Sequence, residues 1–201
     1  MEVSKMTKTV IVTSHPYAGS FCHALMESAK KGAEQQGHEV DVIDLEADGF
    51  DPVMHSADLI GFLKHKAQDD QAIDYIERVK LADHLILVFP IWWELMPAMM
   101  KGFIDKVIFP GETFDYTKDG TGMTSLLTNL KSTTIMTTMN TPKALYRWVF
   151  GDAIQRALIR GTFRKMGLKQ VKWLSCNMVK KSSDAKRQQW LAQAEKIGAQ
   201  A

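Results

Sequence analysis

Two stretches of this chain are apolar from end to end, and they limit what it can fold into more than any other feature. Thr9 to Thr13 reads TVIVT, and His84 to Phe89 reads HLILVF. A strand with one face in water alternates apolar and polar residues, whereas a strand covered on both faces reads as a continuous apolar run. Both runs therefore belong inside a sheet that carries helices on each side. Each ends abruptly, at SHPYAGS and at Pro90, where Pro and Gly stop the extended run.

Between and after these runs the period changes to that of a helix. From Ser20, a suitable N-cap, a weak apolar stripe runs through Phe21, Leu25, Ala29 and Gly32, and Gly37 marks a stop. Glu39 to Leu45 alternates and predicts a second strand. Ala47 to His55 reads as loop. A helical region follows, broken near Gln68 to Gln71, then running through Ile73, Ile76, Val79 and Lys80. Pro97 suits a first helical turn, and Met100, Phe103, Ile104 and Val107 follow at helical spacing until Pro110-Gly111. Thr133 to Thr138 predicts a fourth strand. Leu145 to Met166 predicts one long helix, interrupted at Gly161. Gln170 to Cys176 predicts a fifth strand and Ser183 to Ile197 a closing helix. Strand alternating with helix five times over predicts an α/β fold: a five-stranded parallel sheet with helices on both faces, its crossovers right-handed. No repeat or linker divides the chain, so residues 1–201 read as one domain.

Composition narrows the function. The formal net charge is +2 over 201 residues, too small to argue for nucleic acid or a membrane surface. No apolar run approaches the roughly 20 residues that span a bilayer, and the opening MEVSKMTKTV lacks the features of a secretory leader. The two cysteines, Cys22 and Cys176, have no metal-ligand spacing; a reducing cytoplasm is the natural reading.

Open sheets of this class bind ligands beyond the carboxyl ends of their strands, so the residues just after each strand are the candidates. In the first such loop, Ser14 to Cys22, a helix N-terminus offers free N–H groups and a positive dipole end to an anion, with Ser20 and His15 as side-chain donors. Taken alone, the loop reads equally as a capped turn with no ligand. In the second, Pro90-Ile91-Trp92-Trp93, the tryptophans suit a flat aromatic ligand or a packed core and subunit contact. At most one of the two can face a ring. The third, Thr137-Thr138-Met139-Asn140, offers amides and hydroxyls to ring heteroatoms, or forms an ordinary polar turn. A phosphate cradle, an aromatic wall and a polar edge at three strand ends together suit a flavin.

These residues resemble the NAD(P)H:quinone oxidoreductase branch of the flavodoxin-like proteins, whose relatives include drug-activity modulators and ancillary subunits of ion-efflux systems. The resemblance covers nearly the whole chain. It rests on His15, Ser20 and Phe21 at the first helix; on Gly37, Val40, Asp44 and Leu45; on the block FPIWWELMPAMMKGFIDKVI; on GETFDY from Gly111 to Tyr116; and on Thr137-Thr138. It implies a flavodoxin-like three-layer sandwich that holds FAD, or alternatively FMN. NADPH or NADH is implied as co-substrate, with a quinone or similar small electron acceptor. It further implies that His15, Ser20, Phe21 and Cys22 lie along the flavin phosphates and that Pro90 to Trp93 line the isoalloxazine. Thr137 to Asn140 would meet the pyrimidine edge, Phe114 and Tyr116 would border nicotinamide or quinone, and Phe50 to Met54 would lie near an adenosine. Tyr146 stands near a family tyrosine that assists proton relay. Three positions depart from the pattern: Met139-Asn140 replaces paired glycines, and Phe150 stands where a histidine is expected. A homodimer with its active site at the subunit interface is also implied. An electron carrier or a regulatory subunit would share the fold; the aromatic surplus (Trp92, Trp93, Phe114, Tyr116, Trp148) favours an enzyme.

Overall fold

The computed structural model describes residues 6–201; Met1 to Lys5, the front of the segment read as carrying no leader, lie outside it. The main sheet has five parallel strands: β1 (Lys8–Thr13), β2 (Glu39–Asp44), β3 (His84–Pro90), β6 (Ser132–Thr138) and β7 (Val171–Cys176). Their order is β2-β1-β3-β6-β7. This is the doubly wound order in which chain direction across the sheet reverses beside β1, and the reversal opens a crevice at the carboxyl ends of β1 and β3. A separate antiparallel hairpin, β4 (Phe114–Tyr116) with β5 (Met123–Ser125), lies in the segment after Pro110-Gly111.

The two apolar runs sit where their composition demands. Every residue of β3 is buried, and its side chains alternate between two cores. Leu85, Leu87 and Phe89 join the cluster that includes Tyr75, Ile76, Met100, Phe103 and Leu158. Ile86 and Val88 join Cys22, Leu25, Ala29, Trp190 and Ala194. Helices α1 (Phe21–Gln35) and α6 (Asp184–Ala199) make this second layer. They approach so closely that a Cβ on Gly32 would lie 1.9 Å from the Glu195 carbonyl oxygen, and one on Gly198 1.8 Å from that of Ala29. Each helix thus needs a glycine where the other crosses it.

The opposite layer holds α2 (Ser56–Leu63), α3 (Asp70–Leu81), α4 (Ala98–Val107) and α5 (Lys143–Trp148). Lys106 of α4 is 1% exposed. Its ammonium reaches Asp69 at 3.0 Å and Asp58 at 3.7 Å, and Asp69 also caps α3 by accepting the Ala72 N–H. The buried charge is therefore paired twice, as burial requires.

The long helix expected over Leu145 to Met166 is two pieces, and the break does not fall at Gly161. Gly151 (φ 82°) and Asp152 (φ 55°) both take the left-handed conformation, which ends α5. The chain resumes as a π-helix over Ile154–Arg164, with Gly161 inside it. Composition could not reveal this, because the apolar positions Leu158, Ile159 and Phe163 satisfy either helix type.

Candidate active site

Three strand ends meet at one cleft of about 380 Å³, within the size range of ligand sites. Its walls are His15, Tyr17, Ser20 and Phe21 after β1; Pro90, Ile91 and Trp92 after β3; and Thr138, Met139 and Asn140 after β6. β7 adds Val179 and Lys180.

The first wall is shaped by capping. Ser20 is the N-cap of α1 and its Oγ accepts the His23 N–H. His23 lies 3.0 Å from Ser20 Oγ through Nδ1 and 3.1 Å from Asp44 through Nε2. His15 accepts the Tyr17 N–H at Nδ1, which leaves its Nε2 as the ring's donor. Burial, and then the charge of His23, lowers the pKa of His15; the neutral ring is the form that faces the cleft. Edge contact with Trp92, 6.0 Å between centroids, fixes the angle between first and second walls.

The second wall ends in a strained turn. The Trp92 N–H donates to Leu95 O and the Leu95 N–H to Trp92 O, closing a two-residue loop. Its central residues Trp93 and Glu94 have φ of 49° and 66°. Such mirror-image turns ordinarily take Gly, Asn or Asp, and side-chain-bearing residues held there cost about 1–3 kcal/mol each. The turn leaves Trp92 on the cleft and swings Trp93 out to 98% exposure. Trp93 is therefore absent from the cleft lining in the single chain.

Other sequence candidates lie elsewhere than expected. Cys22 is fully buried, with its Sγ 3.2 Å from Thr138 Oγ1; burial raises its thiol to about 11, so it packs below the cleft and does not face a ligand. Thr137 is also fully buried, and its hydroxyl oxygen accepts the Trp173 indole N–H. The Met139 N–H donates to Cys176 O. The loop's free amides are thus those after Met139, and its exposed side chains begin at Thr138. Tyr146 does not line the cleft: its hydroxyl donates to Glu94 O and accepts the Ile154 N–H. Burial pushes its pKa up to about 12. Its position argues for a structural bridge between the Trp93-Glu94 turn and the π-helix. Phe114 is 4% exposed and packs edge-on to Tyr116 at 5.6 Å. Phe114 borders a different concavity, with Phe62, Ile104 and Lys165. Phe50 is a core residue against Tyr75. Only Asp51 to Met54 of the expected adenosine region retain exposure.

Tyr17 lies in the nominated first loop but was not singled out, and Val179 and Lys180 were not nominated at all. The signal was available: Asn177 to Lys181 also follows a strand, and the rule that nominated the other loops nominates it too. The structure turns the chain back at Met178 (φ 58°), and the Lys180 N–H donates to Asn140 Oδ1.

The donor set fits a phosphate-bearing planar molecule. At the carboxyl end of β1, Thr13 Oγ1 and Ser14 Oγ are buried with no hydrogen-bond partner among the described residues, a state that calls for a ligand or ordered water to complete the network. Among the described residues no group of three or more His, Cys, Asp or Glu is arranged to hold a metal, and no helix is long and apolar enough to cross a membrane.

Comparison with known proteins agrees with the geometry. The family model described as the flavodoxin-like fold matches residues 7–198. NAD(P)H dehydrogenase (quinone) 1 of Cavia porcellus is 30% identical over 130 residues, 57% of this chain and 47% of that one. The chain spans about half the length of that protein and of the ribosyldihydronicotinamide dehydrogenases that it also matches. The crystal structure of Smu.1420 from Streptococcus mutans UA159 superposes with a TM-score of 0.81 at 30% identity, covering 97% of this chain and 100% of that one. The NAD(P)H:quinone oxidoreductase from Methanothermobacter marburgensis shares the fold, with a TM-score of 0.83 at 20% identity and 96% of each chain covered. With its strand order, its switch-point cleft and a family match over almost its whole length, this chain belongs to the flavodoxin-like fold family, and the curated proteins it resembles over part of their length include an NAD(P)H dehydrogenase (quinone).

Proposed function

We propose that the protein is a flavin-dependent NAD(P)H oxidoreductase that passes two electrons to a quinone or similar small acceptor. The observation that carries this reading is the convergence of a helix N-terminus, the Trp92 ring and the Thr138–Asn140 loop on one cleft at the sheet's switch point. When bound, a flavin supplies the hydride chemistry, and the protein supplies binding, orientation and electrostatics. The first-turn N–H groups of α1, the Ser20 hydroxyl and His15 Nε2–H receive the phosphate. Trp92 and Ile91 carry the flat ring system. The amides of Asn140 and Thr141, which have no acceptor among the described residues, would face the ring's polar edge and favour negative charge there.

FAD is the cofactor that the resemblance favours, with FMN as the alternative; releasing the cofactor and weighing it decides. A single slot for nucleotide and acceptor gives ping-pong kinetics, read as parallel double-reciprocal lines. Phe114 and Tyr116 stand apart from the cleft within one chain, so a homodimer in which a second copy brings them to it is the arrangement this reading requires. Exposed Trp93, Trp148, Val149 and Phe150 supply apolar surface for such a contact, and sedimentation at micromolar concentration tests it. Two free, buried cysteines accord with a cytoplasmic setting. The first experiment is an anaerobic titration. A yellow protein whose visible band bleaches on NADH or NADPH supports the proposal, and a colourless protein that takes up neither FAD nor FMN refutes it.

A further inference from the structure

A second concavity, of about 350 Å³, lies between the carboxyl end of β7, α5 and the π-helix. It is not part of the cleft described above. Lys143, Arg147 and Arg160 border it, together with one acid, Asp152. Among the described residues none of these four side chains has an ion pair or hydrogen bond, though the Arg147 guanidinium lies 5.0 Å from the Trp148 ring centroid, whereas many surface cations are paired: Lys8 with Glu39, Arg78 with Asp41 and Lys80 with Glu112. Of the two aromatic walls only the half-buried Trp173 presents ring surface; Tyr146 is buried, with its ring edge-on to Trp173 at 6.1 Å. The Trp173 N–H is given to Thr137, and the Tyr146 hydroxyl is used on both sides. The Ser175 hydroxyl donates to Asn177 Oδ1, which leaves its lone pairs. The free groups are therefore strong donors from three cations, acceptors at Asp152 and Ser175, and the Gln155 amide.

The backbone is unusual at the same place. Asp152 is held at φ 55° directly before a π-helix that supplies Gln155 and Arg160. Left-handed non-glycine residues and π-helical turns both concentrate at functional sites.

That inventory describes a complementary ligand. Several unpaired cations call for an anion with many acceptor oxygens. A lone carboxylate beside them calls for hydroxyl donors. The Trp173 face calls for a ring. We infer that this concavity binds a nucleoside phosphate: the cations take the phosphate, Asp152 a ribose hydroxyl, and Trp173 the base. Two sources carry this chemistry, the adenosine end of a phosphorylated pyridine dinucleotide and a free nucleotide acting as effector. The site does not depend on the flavin, so it is tested separately from the proposed function.

The test is calorimetric titration of the full chain, flavin-free and flavin-loaded, with adenosine, 5′-AMP and 2′,5′-ADP. Both phosphates bind, and adenosine binds at least about tenfold more weakly, since charge-assisted bonds supply the difference. The double variant Arg147→Gln/Arg160→Gln loses about tenfold or more in phosphate affinity; both positions are exposed, so its melting temperature stays that of the parent. Asp152→Asn, tolerated in the left-handed region, weakens all three ligands. Preference for 2′,5′-ADP, with displacement by NADPH and not NADH, assigns the dinucleotide; equal affinity for 5′-AMP without displacement assigns the effector. Equal binding of adenosine and 5′-AMP, no binding of any of the three at millimolar concentration, or unchanged affinity in the double variant overturns the inference.

Discussion

Tyr146→Phe separates a bridging tyrosine from a proton-relaying one. Tyr146 is 1% exposed, and its oxygen has two partners at 3.0 Å: Glu94 O, to which it donates, and the Ile154 N–H, from which it accepts. Removing that oxygen leaves the Ile154 N–H buried with no acceptor, because Ile154 is itself fully buried. An orphaned buried donor costs about 1–3 kcal/mol and a lost neutral hydrogen bond about 1 kcal/mol, so the substitution destabilises by about 3 kcal/mol. A chain of this length loses about 2–4 °C in melting temperature per kcal/mol, which gives a fall of roughly 6–12 °C. The assay is thermal unfolding by circular dichroism at pH 7, where Tyr146 is protonated with its pKa pushed up to about 12. Flavin affinity and turnover are measured on the same samples below the transition. Turnover should fall only as far as loosening of the Trp93-Glu94 turn disturbs the cleft. A melting temperature within about 2 °C of the parent, with turnover abolished, would refute the bridge and restore a relay role.

Three further outcomes follow from the same structure. Gly32→Ala and Gly198→Ala each drive a methyl into a backbone carbonyl across the α1–α6 contact, at 1.9 and 1.8 Å; each should destabilise by about 3 kcal/mol or more, and an unchanged denaturation midpoint for either would show that the helices sit further apart. Trp92→Ala should weaken flavin binding about tenfold while Trp93→Ala changes it by no more than about threefold, because only Trp92 of the two borders the cleft; equal losses would contradict that division. Cys22 and Cys176 have thiols raised by burial to about 11 and about 12. Since the unfolded chain ionises them first, their contribution to stability is complete below the ordinary thiol range and is lost as pH rises towards those values. Both should resist thiol reagents until the protein unfolds, and rapid labelling of the native protein at pH 8 would count against the burial.

Much of this molecule was legible in its sequence because burial on both faces leaves an unambiguous trace. TVIVT and HLILVF could only be interior strands, and the order of strands and helices left few topologies open. Ser20 as N-cap was equally legible, since capping is chemistry between near neighbours. The strand-end rule then nominated the right loops for the cleft, and failed only where it was not applied, at Asn177 to Lys181.

Which side chains of those loops turn toward the cleft was not legible, and the tertiary structure decided it. Cys22 and Thr137 sit in nominated loops yet point into the cores, because helix and strand periodicity rotates successive side chains to opposite faces. Trp93 leaves the cleft because its turn takes a left-handed backbone that its residue type disfavours, a conformation held by Tyr146 from 52 residues away. The split of the fifth helical segment depends on the Gly151-Asp152 turn, and its π-helical register on packing that no local pattern encodes. Sequence alone determined the sheet, the layers and the edge where the cleft lies, since these follow from local periodicity. The cleft's inventory and the cationic concavity beside it arise from contacts between residues far apart in the chain, and only the folded arrangement brings those together.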